Sequence, residues 1–526
     1  MVTRQRDQKI TYTTMSVEQA ESFNRDYDRA LDQVRSQLGR RYPLYINNQA
    51  ESSTNPVFED RSPNDTRVVL GNFEEGGKQH ADAAIEAARG AFPAWSSYPW
   101  QKRIEILRRG AEIFRQRKYE IAAWLSLEAG KPRLESMGEV EEAADLIFGY
   151  CGYMEDANGF VVEMERLSAQ EANHSVLRPY GVWIVIAPFN FPVALTTGMI
   201  AGALVAGNTV VFKPSHETPL VGTKVFECLR DGGLPAGALN FVTGHGNQIG
   251  EQLSSHPSVD GIVFTGSAQV GTRLFREFSK ERPRPCIAEM GGKNPTIVTD
   301  SADLDKAVEG TARAAFGYSG QKCSATSRVY VHDSVAGEFT RRLVERTQQL
   351  VVGPAERDDV FMGPVINRTA YERFQQACER SHNDGEILSG GNVVTDGPLK
   401  HGYFCAPTIV SLPKDHQYFY EELFVPLVAV ARVSSLDEAL TLANDSKYGL
   451  TAGIFTEDER EQQEFLKRME AGVIYVNRRG GSTTGAWPRV QSFGGWKMSG
   501  STGKNALGPY YVQQFMHEQS QTVVTD

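Results

Sequence analysis

Three residues of this chain have side chains and neighbours suited to catalysis by a thiol. Cys323, in GQKCS (320–324), follows a predicted helix and lies in a loop of small residues, where Lys322 can favour the thiolate. Glu289, in AEMGGK (288–293), has apolar neighbours that desolvate its carboxylate and raise its pKa toward that of a general base. Asn190, in PFNFP (188–192), can direct its amide at a developing oxyanion. Together they predict a nucleophile, a base and an oxyanion donor.

Local sequence leaves a structural explanation of each residue open. Most cysteines are inert small side chains of a protein core. Glu289 could form an ion pair with Lys293, four residues further along the chain. An asparagine bounded by prolines is more often part of a turn than of a catalytic site. The catalytic interpretation therefore requires the fold to bring Cys323, Glu289 and Asn190 together.

Three loops could bind a dinucleotide or another anion. GSAQVG (266–271) follows the strand GIVFT and opens a helix, and helix N-termini bind phosphate, although its spacing differs from the usual dinucleotide fingerprint. Lys213, in FKPS (212–215), is predicted at the carboxyl edge of a parallel sheet, where nucleotides bind in open α/β folds. Successive backbone N–H groups of GGSTTGAW (480–487) could hold an anion. The alternatives are a tight turn, a solvated lysine and a flexible surface loop.

From residue 181 onward, apolar β-branched runs alternate with helix-length segments, which predicts βαβ units and parallel sheets. The first set has strands at 181–187, 209–212, 239–242 and 261–265, and helices near 193–206, 219–231, 247–254 and 269–279. The second set has strands near 295–299, 327–332, 427–432, 450–455 and 472–477, and helices near 303–316, 334–350, 435–444 and 459–470. The predicted fold class is α/β, with two tandem α/β domains that meet near 285–293.

Several segments belong to neither set. Residues 16–39 have the apolar stripe of an amphipathic docking helix, and helical periodicity returns at 80–90 and 101–150. Residues 160–178 predict a polar hairpin, and the C-terminal YYVQQFMHEQSQTVV predicts an exposed strand. Because an unpaired terminal strand can add to the sheet of another chain, we expect a β-strand oligomerisation arm.

The composition is that of a folded protein without a surface for nucleic acid or membrane. The chain has 55 basic and 65 acidic residues, a net charge of −10, and no basic cluster. Residues 179–212 carry no charge, but prolines, glycines and asparagines divide them into pieces too short to span a bilayer. The six cysteines have neither disulfide nor metal-ligand spacing, so we expect a reducing, cytoplasmic location and no metal site. The start of the chain lacks the apolar stretch of a secretory signal.

The order of the motifs is more specific than any one of them. From about residue 40 to the C-terminus, the chain resembles the aldehyde dehydrogenase superfamily. The matching segments are PFNFP (188–192), FKPS (212–215), FTGSAQVG (264–271), EMGGKNP (289–295), GQKCS (320–324), EELFVP (421–426) and FGGWKMSG (493–500). Residues 476–512 are similar to the branch that oxidises L-glutamate γ-semialdehyde, formed from 1-pyrroline-5-carboxylate, to L-glutamate in proline catabolism.

This resemblance implies a role for each matching residue. Cys323 would form a thiohemiacetal and then a thioester, Asn190 and the Cys323 N–H would bind the oxyanion, and Glu289 would activate the hydrolytic water. It implies NAD as cofactor, with NADP not excluded. The implied cofactor-binding residues are Lys213, Ser215, Phe189, Gly266, Ser267, Gly271, Glu422 and Phe424. The implied substrate-binding residues are Ser324, Gly485 and Ala486 at the α-carboxylate, Phe191 and Phe493 along the aliphatic chain, and Glu135 near the amino group.

The resemblance also implies a domain organisation and partners. Residues 1–40 would be a helical extension, 41–158 and 179–287 the Rossmann-like dinucleotide-binding domain, and 288–478 the catalytic domain. Residues 159–178 and 479–526 would supply the oligomerisation arm and a substrate loop. We expect a small-molecule substrate and a homo-oligomer, a dimer or larger. A transient contact with a proline dehydrogenase, which would pass on the labile intermediate, stays open.

The chain departs from the family pattern at three informative positions. His216 occupies the place where a glutamate often binds the adenosine ribose, so charge repulsion does not exclude the 2′-phosphate of NADP. Val425 replaces a usual glycine and puts the local turn in doubt. Arg489 replaces a glycine of the branch, which puts the fine substrate specificity in doubt.

Three other functions compete with this interpretation. The chain could act on another semialdehyde or an aliphatic aldehyde. It could be a catalytically silent scaffold on the same fold, although such a protein has no need for Cys323, Glu289 and Asn190 together. It could also be a cysteine acyl-transferase that uses no nicotinamide.

Overall fold

The structure, a computed structural model, describes residues 17–525, with side chains from residue 19. Two seven-stranded sheets, each flanked by helices, form its centre. The predicted α/β class is confirmed, and every predicted strand of the two alternating sets lies within one residue of an observed strand. The helices are Val17–Arg35, Lys78–Ser97, Trp100–Gln116, Lys118–Glu128, Arg133–Asp156, Ala194–Ala206, Pro219–Asp231, Glu251–Ser255, Ala268–Phe278, Leu304–Phe316, Asp333–Gln348, Arg368–Asp384, Leu436–Asn444 and Glu459–Arg468.

The first sheet has a parallel core, because helices connect its central strands and return the chain to the same end each time. Its strands are, in spatial order, Cys286–Glu289, Gly261–Thr265, Val182–Ile186, Thr209–Lys213, Leu239–Phe241, Leu44–Ile46 and Gln49–Glu51. The last two form an antiparallel hairpin on its edge. Sequence periodicity did not predict this hairpin or the strand Cys286–Glu289, because all three strands are short.

The second sheet is parallel except for one edge strand. Its strands are, in spatial order, Glu386–Ser389, Thr408–Ser411, Leu427–Val433, Thr326–His332, Asn294–Val298, Thr451–Phe455 and Val473–Val476. The chain leaves the first sheet at Glu289, within the predicted junction at 285–293, and enters the second at Asn294, one residue after it. The proposed division into domains stays a prediction.

The N-terminal helix docks as its apolar stripe predicted. Phe23, Tyr27 and Val34 are buried, and the Tyr27 hydroxyl donates to Ser126 Oγ at 2.6 Å. The segment 101–150 is not one helix but parts of three, which pack under this region. A smaller sheet of Arg40–Tyr42, Val69–Phe73 and Phe58–Arg61 lies next along the chain.

The C-terminal prediction was partly wrong. The strand is Met516–Val524, and it pairs antiparallel along its whole length with Glu171–Pro179 of the same chain, which also pairs with Val161–Glu163. Tyr511 and Phe515, predicted in an exposed strand, are buried. The reason is that both aromatic rings pack over Gly202, where a side chain would have no room.

The uncharged stretch forms a strand, a helix and a second strand of the first sheet, as its breakers predicted. Within residues 17–525, none of the helices combines the length and the apolar character needed to cross a membrane.

Candidate active site

A cleft of about 1050 Å³ opens between loops of the two sheets. Loops that follow strands of the first sheet contribute Phe189, Asn190 and Gly266, and loops of the second sheet contribute Cys323 and Glu422. A much smaller cavity of about 30 Å³ lies behind this cleft and is lined by Glu289 and Phe493. Cys323 lines both spaces, so the predicted nucleophile lies where they meet.

The Cys323 loop is held by hydrogen bonds to its backbone. Asn294 Nδ2 donates to the Cys323 carbonyl at 2.7 Å, and Gly292 approaches that carbonyl so closely that a Cβ there would lie 2.5 Å from it. Burial raises the pKa of the half-buried Cys323 thiol to about 12, helped by the charges of Glu422 and Glu289. Lys322 was expected to favour the thiolate, but its Nζ forms an ion pair with Glu135 at 2.8 Å. The thiol is therefore neutral until its surroundings change.

Glu289 ends the strand Cys286–Glu289 and turns its carboxylate into the small cavity. Burial raises its pKa to about 8, and the Gly495 N–H opposes that rise. Its buried Oε2 has no hydrogen-bond partner among the described residues. Lys293 does not form the competing ion pair: its Nζ donates to the Ser327 carbonyl at 3.4 Å, and burial lowers its pKa to about 7. A carboxylate of this pKa that has no ion-pair partner among the described residues suits a general base near neutral pH.

The rate of acyl-enzyme hydrolysis should rise with pH because only the carboxylate of Glu289 can accept a proton from water. With its pKa raised to about 8, the ionised fraction increases about tenfold per pH unit below that value and levels off above it. Hydrolysis of a preformed acetyl-Cys323 enzyme, followed between pH 6 and 9.5, measures this dependence. A rate that stays constant over this range would contradict the assignment.

Asn190 lies on the loop after Val182–Ile186 and is 4% exposed. Its Oδ1 accepts from the Phe191 N–H at 3.1 Å, which fixes the orientation of the amide. Its side-chain NH₂ group makes no hydrogen bond within the described part of the chain, and the residue borders the cleft with Cys323. The geometry therefore leaves a donor available beside the thiol.

The predicted phosphate loop lies on the cleft. Ser267 caps the helix Ala268–Phe278 by accepting from the Val270 N–H at 3.3 Å, and Gly266 and Ser267 both line the cleft. Gly271 does not line it: a Cβ there would lie 2.6 Å from Met290 Sδ, so this glycine permits close packing instead.

Most of the other predicted cofactor residues surround the same space. Ser215, Phe189, Glu422 and Phe424 line the cleft, and Phe189 packs edge-on against Phe424 with ring centroids 5.8 Å apart. Glu422 accepts from the Gly292 N–H at 2.9 Å, and burial raises its pKa to about 7.

The turn at Val425 is accommodated by its neighbour. The residue with left-handed backbone is Phe424, with φ of 58°, so the valine that replaces the usual glycine keeps an ordinary conformation. The replacement of glycine by Val425 therefore does not disturb the turn that positions Glu422.

Lys213 ends the strand Thr209–Lys213 but does not line the cleft. Its Nζ donates to the Pro214 carbonyl at 2.9 Å, and burial lowers its pKa to about 8. Lys213 is therefore not the solvent-exposed lysine that the sequence left as an alternative. In this structure its ammonium group does not reach the cleft either.

His216 belongs to a cluster that the sequence did not reveal. Its ring stacks on Phe58 and lies 3.6 Å, centroid to centroid, from His245, whose Nδ1 is 3.1 Å from a Glu75 oxygen. Burial lowers the pKa of His216 to about 4, so its ring is neutral near neutral pH. Ligand atoms of Glu75, His216 and His245 lie within 4.8 Å of one another, and the expectation of no metal site stays a prediction. No sequence spacing links these three residues.

The predicted substrate residues are only partly brought together. Phe493 lines the small cavity, and Ser324 lies next to Cys323, buried, with its carbonyl accepting from Thr483 at 2.8 Å. Phe191, Gly485, Ala486 and Glu135 line neither of the two spaces.

The contacts of these four residues are local. The Phe191 ring covers Lys131, with Nζ 3.7 Å from its centroid, and Glu135 pairs with Lys322. The Gly485 carbonyl accepts from the Tyr475 hydroxyl at 2.6 Å. Ala486 is partly buried against the large core beneath the first sheet.

Sequence reasoning missed several residues around the thiol. Tyr150, Tyr511, Met199 and Leu195 line the small cavity with Cys323. Tyr150, Met199 and Leu195 are indistinguishable in sequence from core residues, because their apolar periodicity is that of any packed helix. Tyr511 belongs to the segment that was predicted as an exposed strand.

Arg489, the third departure, contacts a helix beside the late loop. Its guanidinium donates to Asp156 at 2.6 Å and lies over the Tyr153 ring. Gly149 and Gly152 leave the space that its long side chain occupies.

The sequence of this chain is similar to a known family of enzymes. The model of the aldehyde dehydrogenase family matches residues 49–521. The chain is 38% identical over 504 residues to 1-pyrroline-5-carboxylate dehydrogenase 2 of Bacillus subtilis, covering 94% of this chain and 95% of that protein.

Solved structures of proteins with similar sequences have the same fold as this chain. A 1-pyrroline-5-carboxylate dehydrogenase from Thermus with bound NAD superposes with a TM-score of 0.93 and 34% identity, covering all of both chains. Proline utilization A from Bdellovibrio bacteriovorus superposes with a TM-score of 0.92 and 34% identity, covering all of this chain and 54% of that one. With most of its length matched by the family model and a thiol at the junction of two cavities, the chain belongs to the aldehyde dehydrogenase family.

Proposed function

We propose that this protein oxidises L-glutamate γ-semialdehyde, the open form of 1-pyrroline-5-carboxylate, to L-glutamate with NAD as acceptor, the second step of proline catabolism. The observation that carries the proposal is the position of Cys323 between a dinucleotide-sized cleft, bordered by Asn190, and a small cavity that contains the Glu289 carboxylate. The names of its relatives support the substrate, since they are 1-pyrroline-5-carboxylate dehydrogenases.

The residues present fit a nicotinamide dinucleotide. The cleft of about 1050 Å³ is at the upper end of the size of cofactor pockets. Gly266 and Ser267 place the N-terminus of the helix Ala268–Phe278 on it, where a pyrophosphate is stabilised. When bound, the dinucleotide supplies the acceptor for the hydride that leaves the tetrahedral adduct.

The side chains account for the remaining chemistry. The Cys323 thiol releases its proton to solvent and its sulfur adds to the aldehyde carbon. The carbonyl oxygen becomes an oxyanion, which the Asn190 amide stabilises by about 3 kcal/mol. After hydride loss, the carbon is held in a thioester. Glu289 removes a proton from water, the hydroxide adds to that carbon, and the carbon–sulfur bond breaks to release the carboxylate and the thiol.

A second feature supports an amino-acid semialdehyde over a plain aliphatic aldehyde. The loop 480–487 turns at Gly485, with φ of 82°, and Tyr475 and Arg478 donate to the Gly485 carbonyl. The N–H groups of Gly485 and Ala486 donate no hydrogen bond within the described residues, so they suit an anion. We propose that Ser324, Gly485 and Ala486 bind the α-carboxylate, that Phe191 and Phe493 flank the chain, and that Glu135 lies near the amino group.

The cofactor proposal favours NAD over NADP. The neutral His216 offers no charge to a 2′-phosphate, and the buried Glu75 carboxylate beside it would repel one. The Thermus relative was crystallised with NAD.

The oligomer and the location belong to the same proposal. The arm of Val161–Glu163, Glu171–Pro179 and Met516–Val524 exposes Val162 and Val524 and leaves the outer edge of its last strand without a partner strand in the described chain. Such an edge suits pairing with a second copy. The described cysteines are all free thiols, which suits the cytoplasm. The likeness to part of proline utilization A supports a transient contact with a proline dehydrogenase.

Steady-state turnover tests the proposal directly. We expect reduced nicotinamide to form from 1-pyrroline-5-carboxylate with NAD, with kcat/KM at least tenfold above that for propanal or a shorter semialdehyde, and above that with NADP. Turnover of propanal without turnover of 1-pyrroline-5-carboxylate would instead select the broader aldehyde dehydrogenase activity.

A further inference from the structure

A buried ion pair lies directly behind the loop that carries Asn190. Lys131, between the helices Lys118–Glu128 and Arg133–Asp156, and Glu139, on the second of them, have fully buried side chains and contact each other. Lys131 Nζ also donates to the Asn190 carbonyl at 2.6 Å. The lysine therefore holds the backbone of the residue whose side chain faces the thiol.

The glutamate of the pair holds the other end of the same loop. Its Oε1 accepts from the Val193 N–H at 2.8 Å and from the Ala194 N–H at 3.2 Å, at the start of the helix Ala194–Ala206. A carboxylate at a helix N-terminus is favoured by unpaired N–H groups and by the helix dipole. The four-residue span from Asn190 to Val193 is thus fixed at both ends by one ion pair.

The same helix also reaches the nucleophile loop. Glu135 precedes Glu139 by one helical turn and pairs with Lys322, the neighbour of Cys323. Two carboxylates four residues apart lie on one face of a helix. This face therefore contacts the loops of both Asn190 and Cys323.

Stability alone does not explain such a pair. Burying two charges costs as much as their attraction returns, and apolar side chains of similar volume are usually at least as stable. The charged pair instead fixes the position of the Asn190 loop, because its hydrogen bonds hold three backbone groups at and after Asn190.

We propose that Lys131 and Glu139 are positioning residues that hold the Asn190 amide at the distance from Cys323 at which it binds the oxyanion. This inference rests on the proposed function of Asn190, but not on the identity of the aldehyde. A displacement of about 1 Å in such a donor costs on the order of 100-fold in rate.

The test uses the double variant Lys131→Met/Glu139→Gln, which removes both charges and leaves neither buried alone. Acetylation of Cys323 by p-nitrophenyl acetate passes through an oxyanion and needs neither cofactor nor aldehyde. We expect its maximal rate to fall about 10–100-fold with KM changed less than about threefold. Alkylation of Cys323 by iodoacetamide, which forms no oxyanion, should change less than about twofold.

Two further variants separate positioning from folding. Lys118→Met/Glu141→Gln removes the ion pair of Lys118 and Glu141, which lie 2.7 Å apart and join the helices Lys118–Glu128 and Arg133–Asp156 away from Asn190, and should keep the acetylation rate. Glu139→Asp keeps the charge but shortens its reach, so it should fold and lose several-fold in rate even if the double variant does not fold.

Combining the double variant Lys131→Met/Glu139→Gln with Asn190→Ala tests whether the ion pair acts through Asn190. If the pair acts through Asn190, its removal costs less than about twofold once that amide is gone, because the losses are not additive. Multiplicative losses, or a wild-type acetylation rate in both Glu139→Asp and the double variant, would overturn the inference. Failure to oxidise L-glutamate γ-semialdehyde would contradict the proposed substrate and leave this result unchanged.

Discussion

Replacement of Cys323 by alanine should reduce aldehyde oxidation by at least about 10⁴-fold, because the covalent route through the thioester requires the sulfur. Cys323 lines both the cleft and the cavity that holds Glu289, and none of the other five cysteines, all within the described residues, lines either space. Reduced nicotinamide formed from 1-pyrroline-5-carboxylate, measured by absorbance, gives the rate. The variant should bind NAD as the wild type does.

A matched control is Cys378→Ala, which removes a thiol buried in the core of the second sheet. It should lose less than about twofold in turnover, because it touches neither cavity. If Cys323→Ala kept more than a few per cent of the activity while it remained folded, a covalent mechanism would be excluded. Loss of activity in the control alone would point to a different thiol.

Glu289→Gln should separate the two halves of the reaction. The glutamine keeps the shape of the side chain but cannot accept a proton, so the thioester forms and then persists. We expect a burst of about one equivalent of reduced nicotinamide per active site, followed by steady-state turnover about 10²–10⁴-fold below that of the wild type. Rapid-mixing absorbance resolves the burst, and mass spectrometry of the intact protein detects the acyl group.

The control for this variant is Glu277→Gln, a change to an exposed carboxylate at the rim of the cleft that should keep the steady state. An absent burst in Glu289→Gln would mean that the residue is needed before hydride transfer, and the assignment as base of the hydrolytic step would be wrong. A normal steady state would place the base elsewhere.

The local pattern of apolar and polar residues was sufficient to predict the alternating strands and helices. The runs 209–212 and 261–265 are apolar on both faces, as strands covered by helices must be, and the glycines and prolines between them end each element. Short elements were not predicted, such as the hairpin Leu44–Glu51 and the edge strand Glu386–Ser389, because three or four residues hold too little periodicity. The C-terminal strand was predicted but its pairing was not, because its partner, Glu171–Pro179, is more than 300 residues away in sequence.

The sequence by itself determined the α/β class, the family and the identity of the candidate nucleophile, base and oxyanion donor, because these depend on residue type and order. Only the tertiary structure decided that Cys323 lies between two cavities, that Lys293 bonds to Ser327 and not to Glu289, and that Lys131 and Glu139 hold the loop of Asn190. The pKa values near 8 and 12 of Glu289 and Cys323 likewise come from burial. The physical reason is that desolvation and hydrogen bonding depend on neighbours in space, and most of these neighbours are tens to hundreds of residues apart along the chain.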